Sequence, residues 1–119
     1  MNNLQITAVC PHPPIILPEI GGKELQIVEK TVKAVEKLSS KIVELDLDTI
    51  VIITPHSYFN QRYFSVYTDK NLFCSFANFR APQVNFAYEN DLSFIRGLEQ
   101  LVQYRFEKLY RIPTGTLLD

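Results

Sequence analysis

Hydrophobic and polar positions follow two different rhythms along this chain. From Leu25 onward the apolar residues Val28, Val32, Val35, Leu38, Ile42 and Leu45 recur every three or four places, with Lys30, Lys33, Glu36, Lys37, Lys41 and Glu44 between them. Because 3.6 residues complete a helical turn, that spacing gathers the apolar side chains on one face and predicts an amphipathic helix over about 23–45. The flanks read otherwise. Leu4-Gln5-Ile6-Thr7-Ala8-Val9-Cys10 before the helix and Thr49-Ile50-Val51-Ile52-Ile53-Thr54 after it are β-branched, apolar runs, each stopped by a proline. Both are predicted strands, and the second, apolar without alternation, has the character of a strand covered on both faces. Strand, long helix and strand within about 50 residues make a βαβ unit, with parallel strands joined by a right-handed crossover. The predicted fold class is therefore α/β.

Downstream, residues 62–68, 72–79 and 83–88 are rich in Phe, Tyr and Val, with turn signals at Asp69-Lys70-Asn71 and Ala81-Pro82. They predict two or three short strands, the first two forming a hairpin. Asn90 is a suitable cap for a second helix over about 91–109, whose inner face would carry Leu92, Ile95, Leu98, Leu101 and Val102. No repeat, low-complexity tract or linker interrupts the chain, so residues 1–119 read as a single domain.

Composition narrows the function. The 119 residues are 46% hydrophobic, and 12 Lys+Arg against 13 Asp+Glu leave a net charge of −1. Near-neutrality without a basic stripe argues against nucleic acid as a partner. No apolar run approaches the roughly 20 residues of a membrane span, and Met1-Asn2-Asn3 does not begin a signal peptide, so a cytoplasmic protein is expected. Cys10 and Cys74 lie in apolar stretches and read as reduced, buried thiols.

The short catalytic signatures are absent: there is no glycine-rich phosphate loop, nucleophile elbow, Cys-x-x-Cys or His-Glu-x-x-His. Attention falls on the two histidines, His12 and His56. Each directly follows a proline that ends a predicted strand. With 7 prolines in 119 residues, both doing so has a probability of about 0.3% on composition alone. In open α/β sheets, ligands bind just outside the carboxyl ends of parallel strands. Two imidazoles leaving neighbouring strand ends could share a metal ion, for which iron, zinc, copper and nickel are all suited to this ligand. The alternative is a pair of loop histidines that cap strand ends through hydrogen bonds to the backbone.

Other candidates carry plainer explanations. Cys10 with His12 forms a Cys-x-His pair, but strand alternation would turn the thiol toward the core. Glu19, Glu89 and Asp91 could each lend a carboxylate, although Glu89 and Asp91 flank a helix start, where acidic residues are favoured anyway. Tyr58, Phe59, Tyr63, Phe64 and Tyr67 would line an aromatic pocket or form the buried face of a hairpin.

At the two histidines the chain resembles a known family. Val9-Cys10-Pro11-His12-Pro13-Pro14-Ile15-Ile16-Leu17-Pro18-Glu19-Ile20-Gly21, then Thr49 to His56, Phe79-Arg80-Ala81-Pro82 and Glu89-Asn90-Asp91-Leu92 are similar to the amino-terminal part of the class III extradiol ring-cleavage dioxygenase superfamily. These are the LigB-like catalytic subunits, and the nearest branch is the Memo-related domain of the AmmeMemoRadiSam system. The resemblance implies that His12 and His56 are two protein ligands of a non-haem Fe(II) ion, or alternatively of zinc, in a two-histidine, one-carboxylate site. It implies a small catechol-type aromatic substrate whose ring is opened beside its hydroxylated carbons. The family's carboxylate ligand and its acid/base histidine are expected beyond Asp119, so little or no ring cleavage is expected of this chain alone, and no catalytic residue is assigned. Two further readings stand beside this one. One is a non-catalytic Memo-like binding module, and the other is a remnant stabilised by self-association, since a half-length α/β domain leaves apolar faces bare; a homo-oligomer is expected.

Overall fold

A computed structural model describes residues 4–56, 61–105 and 108–116. Contacts divide the chain into a unit ending at Ile50 and a unit beginning at Val51. In the first unit, the proline-rich run becomes a 3-10 turn over Pro14–Ile16 with a proline in its first turn, where the missing N–H costs nothing. Pro18 opens a four-residue helix, α1 (Pro18–Gly21), and Gly22 then reverses the chain at φ +47°, a conformation that favours glycine. A 3-10 stretch over Gly22–Val28 leads into α2 (Glu29–Glu44).

The predicted helix over 23–45 thus has the expected face and end, but its first two turns are 3-10 instead of α. Leu25 and Val28 are three apart, a spacing that a threefold helix brings onto one line. Along α2 the face alternates as its pattern requires: Val32, Val35, Leu38 and Ile42 are half-buried while Lys33, Glu36, Lys37 and Lys41 are exposed. Lys33 pairs with Glu29 one turn earlier, the spacing at which opposite charges support a helix. The helix stops at Asp46, whose left-handed φ of +46° breaks the repeat.

Both strands predicted on either side of this helix are corrected by the structure. Neither Leu4–Cys10 nor Thr49–Thr54 carries strand structure. Leu4 is 86% and Val9 99% exposed. A β-branched run becomes a strand only when a second backbone supplies the ladder, and among the described residues nothing does so here. Cys10, expected in the core, is exposed for the same reason, and Cys74 is half-buried.

In the second unit the α/β class is realised by other strands. β1 (Phe64–Val66) pairs in parallel with β4 (Leu109–Arg111), Phe64 opposite Leu109. Between them in sequence lie an antiparallel pair, β2 (Asn71–Phe76) with β3 (Ala81–Glu89), and α3 (Leu92–Tyr104). The hairpin is therefore β2–β3 and not the β1–β2 pair expected. Ala81-Pro82, read as a turn, begins β3; the reversal falls at residues 77–80, where Arg80 takes φ +60°. The buried apolar side chains among the described residues are Ala81, Val84 and Ile112, all in this unit.

The second helix is capped one residue later than expected. Asp91, not Asn90, accepts the Phe94 N–H at 2.8 Å, the ordinary way an N-cap satisfies an orphan donor. Asn90 ties down the chain before it. Its side-chain amide donates to the carbonyls of Tyr67 (2.9 Å) and Asp69 (3.0 Å), and its N–H donates to the Lys70 carbonyl at 2.8 Å. Asp69 Oδ2 in turn accepts the Gly115 N–H at 2.7 Å. Replacing Asn90 by Ala removes two hydrogen bonds from a half-buried junction. A loss of about 2 kcal/mol is expected in urea unfolding of the full chain, with Asn90→Asp no better, because a carboxylate cannot donate to those carbonyls.

α3 ends at Tyr104, short of the predicted 109. Arg111 of β4 reaches back to it with a paired bond, Nε to Glu99 Oε1 and Nη2 to Oε2, both 2.7 Å. That hydrogen bonding, with the charge of Glu99, raises the Arg111 pKa further above its ordinary value. Of the aromatic segment, Tyr58 and Phe59 lie outside the described residues. Phe64 is 78% exposed and Tyr67 half-buried, so the described members do not form the buried face of a hairpin.

Candidate metal centre

His12 belongs to the first unit and His56 to the second. Both are exposed, as a residue that binds a ligand from solvent must be. His12 sits between Pro11 and Pro13, whose fixed φ angles narrow the backbone freedom on both sides of the imidazole. The chain after it enters the 3-10 turn at once, with the Ile16 N–H bonded to the Pro13 carbonyl at 3.1 Å. His56 is held in a comparable way. Thr54 Oγ1 accepts the His56 N–H at 3.2 Å across Pro55, so a side chain replaces the backbone acceptor that strand pairing would have supplied.

The donor chemistry of the two imidazoles suits a divalent transition metal, but two ligands do not complete a site. Among the described residues no group of three His, Cys, Asp or Glu gathers where an ion could be held. The carboxylates considered from sequence have other local roles. Asp91 caps α3, Glu89 lies 3.8 Å from Lys70 across the end of the hairpin, and Glu19 occupies the first turn of α1. Each of the two imidazoles is a donor of suitable chemistry, and they lie in different units of the chain.

One feature of this region was not anticipated from sequence. A cavity of about 420 Å³ opens between the turn after His12 and the helix, lined by Ile16, Leu17, Pro18, Leu25, Val32 and Val35 with Gln26, Glu29 and Glu36. Its signal was the apolar stripe of the helix together with the Ile-Ile-Leu run that follows the prolines; the periodicity gave each stripe but not that they face each other.

Comparison with known proteins bears on the same stretch. The chain is 39% identical over 75 residues to Protein CA_C1420 of Clostridium acetobutylicum; the match takes in 63% of this chain and 16% of that protein, so the chain spans only a small part of the relative's length. No solved structure matches it. The model for the catalytic LigB subunit of aromatic ring-opening dioxygenase matches residues 6–111, a stretch that includes both histidines, Gly21 and all of α2 and α3. By that match the chain belongs to the family of the catalytic LigB subunit of aromatic ring-opening dioxygenase.

Proposed function

We propose that this chain is the iron-holding portion of a class III extradiol dioxygenase-like domain. In it His12 and His56 are two protein ligands of a ferrous ion, and the substrate is a small catechol-type aromatic. One observation carries the reading: the chain's two histidines each follow a proline that closes a β-branched apolar run, inside the stretch matched by a family of ring-opening dioxygenases. Iron, when bound, supplies the Lewis acid and the electron path between ring and dioxygen.

The chain's own residues present the ligands. Pro11 and Pro13 limit where the His12 ring can go, and Thr54 fixes the His56 amide. As a ligand each imidazole must offer an unprotonated ring nitrogen, so metal competes with protons for it and binding weakens on acidification. The carboxylate ligand and the acid/base group come from polypeptide outside this chain, and ring cleavage depends on them. No described helix is long and apolar enough to cross a membrane; a reducing cytoplasm suits both ferrous iron and two cysteines outside any disulfide. Self-association belongs to the same reading, because large apolar residues such as Ile52 and Ile53 are exposed.

Anaerobic calorimetric titration with Fe(II), and with Zn(II) in parallel, tests it. One ion per chain is expected, with affinity falling on acidification from about pH 7.5 to about 5.5, values chosen to bracket the imidazole range. Absence of binding by either metal overturns the proposal and leaves a metal-free binding module as the reading of this family member.

A further inference from the structure

β1 and β4 meet in a short parallel ladder, Phe64 opposite Leu109, Ser65 opposite Tyr110 and Val66 opposite Arg111. The middle of that ladder carries a buried hydroxyl without a partner. Ser65 Oγ makes no hydrogen bond among the described residues, and it is covered so completely that solvent cannot serve it instead. A hydroxyl taken out of water and left unpaired weakens the packing that covers it.

The chain beyond β1's partner is held by exchangeable ties. The Ile112 N–H donates to the Val66 carbonyl at 2.9 Å, and the Gly115 N–H donates to Asp69 Oδ2 at 2.7 Å. Arg111 pairs with Glu99 with its guanidinium largely exposed, so water competes for that contact. Among the described residues of this segment, Ile112 is the one buried side chain, 4% exposed. The turn that follows closes on itself: the Thr116 N–H and hydroxyl both donate to the Pro113 carbonyl, at 3.2 and 2.6 Å.

We propose that residues 109–116 form a releasable strap: β4 and its turn detach from β1 together while β2–β3 and α3 stay folded. The Ser65 hydroxyl sets the balance, because release returns it to water and closure strips it again. The rest of the unit does not need the strap. β2 and β3 pair with each other from Asn71 opposite Glu89 to Phe76 opposite Ala81, and α3 has its own cap in Asp91. Asn90 holds the carbonyls of Tyr67 and Asp69 without any residue of the strap. All of these residues belong to the second unit, and none is a candidate metal ligand. Release gives β1 an open backbone edge, ready to take a strand again, so exchange at this edge is a local opening and not an unfolding of the unit.

Native-state hydrogen exchange of the full chain, followed by NMR, tests this. The amides of Ile112 and Gly115 are expected to share one protection factor, about tenfold or more below that of the best-protected amides of β2 and β3. Ser65→Ala removes the unpaired hydroxyl and is expected to raise the protection of both strap amides about tenfold while leaving the hairpin unchanged. Asp69→Ala cuts the bond to Gly115 and is expected to lower the protection of Ile112 as well. Strap amides that exchange only together with the hairpin overturn the release. Protection that Ser65→Ala leaves unchanged or lowers overturns the role of the hydroxyl. Different protection factors at Ile112 and Gly115, or an Asp69→Ala effect confined to Gly115, overturn the movement of β4 and its turn as a unit.

Discussion

Replacing either His12 or His56 by alanine is expected to weaken Fe(II) binding by about a hundredfold, and replacing both is expected to cost scarcely more than replacing one. The reasoning is that of a shared ion. If both imidazoles hold one metal, loss of the first removes most of the advantage of the second, because the remaining histidine is then a single exposed ligand competing with water. Two independent sites behave differently: each substitution deletes its own binding event, and the double variant loses the sum of the two. Calorimetry on the four proteins of this cycle separates the cases. Additive losses would dismiss the shared centre even if each histidine binds metal by itself. Pro11 and Pro55 are present in all four chains, so the comparison isolates the imidazoles from the backbone that presents them.

Gly21→Ala is expected to destabilise the chain by about 3 kcal/mol, within the range found when an extra carbon is forced into a packed site. Gly21 is buried, with ordinary helical φ and ψ of −72° and −34°, so backbone freedom is not why glycine is needed. A Cβ there would overlap the Ile15 carbonyl oxygen and press on the Leu25 side chain, 3.0 Å away at Cγ. Backbone has to move. The neighbouring Gly22 provides the control, for it has φ +47° but nothing within 4 Å of the place its Cβ would take. Gly22→Ala meets only the backbone cost of its positive φ, about 2 kcal/mol. Urea unfolding monitored by circular dichroism should rank the two in that order. Equal losses would mean that the turn over Pro14–Ile16 does not pack on the residues around Gly21. Because Ile15 is three residues from His12, the same substitution is also expected to weaken metal binding, whereas Gly22→Ala is expected to spare it.

What could be read from sequence follows the range of the forces involved. The stripe from Leu25 to Leu45 is local, and it located the long helix and the face that it half-buries; the α/β class and the family likewise stand. Pairing over long separations left no comparable mark. β4 is three residues long, and its first residue, Leu109, falls at the end of the helix predicted over about 91–109, so the ladder with β1 leaves no mark in the pattern. The hairpin was assigned to the wrong strands because Ala81-Pro82 resembled a turn, while the left-handed conformation falls on Arg80, a residue type that gives no hint of it. Asn90 and Asp91 are both good caps, and which of them serves is decided by the carbonyls of Tyr67 and Asp69, brought in by the chain beyond the hairpin. For the candidate site, the two Pro-His pairs single out the histidines that the proposed function makes metal ligands. No carboxylate stands out from the pattern as their companion, and among the described residues Asp91 caps α3 and Glu89 faces Lys70.

The parallel β1–β4 ladder sets an order of events in time. Phe64 and Leu109 meet only after the intervening chain has passed, and closing so long a loop costs entropy that a three-residue ladder returns slowly. β2 and β3, nearly adjacent in sequence, and α3, wholly local, can form first. Their folding shortens the effective loop and delivers Glu99 to within reach of Arg111. During synthesis, β1 therefore emerges before its partner exists and can pair only once Leu109–Arg111 has followed.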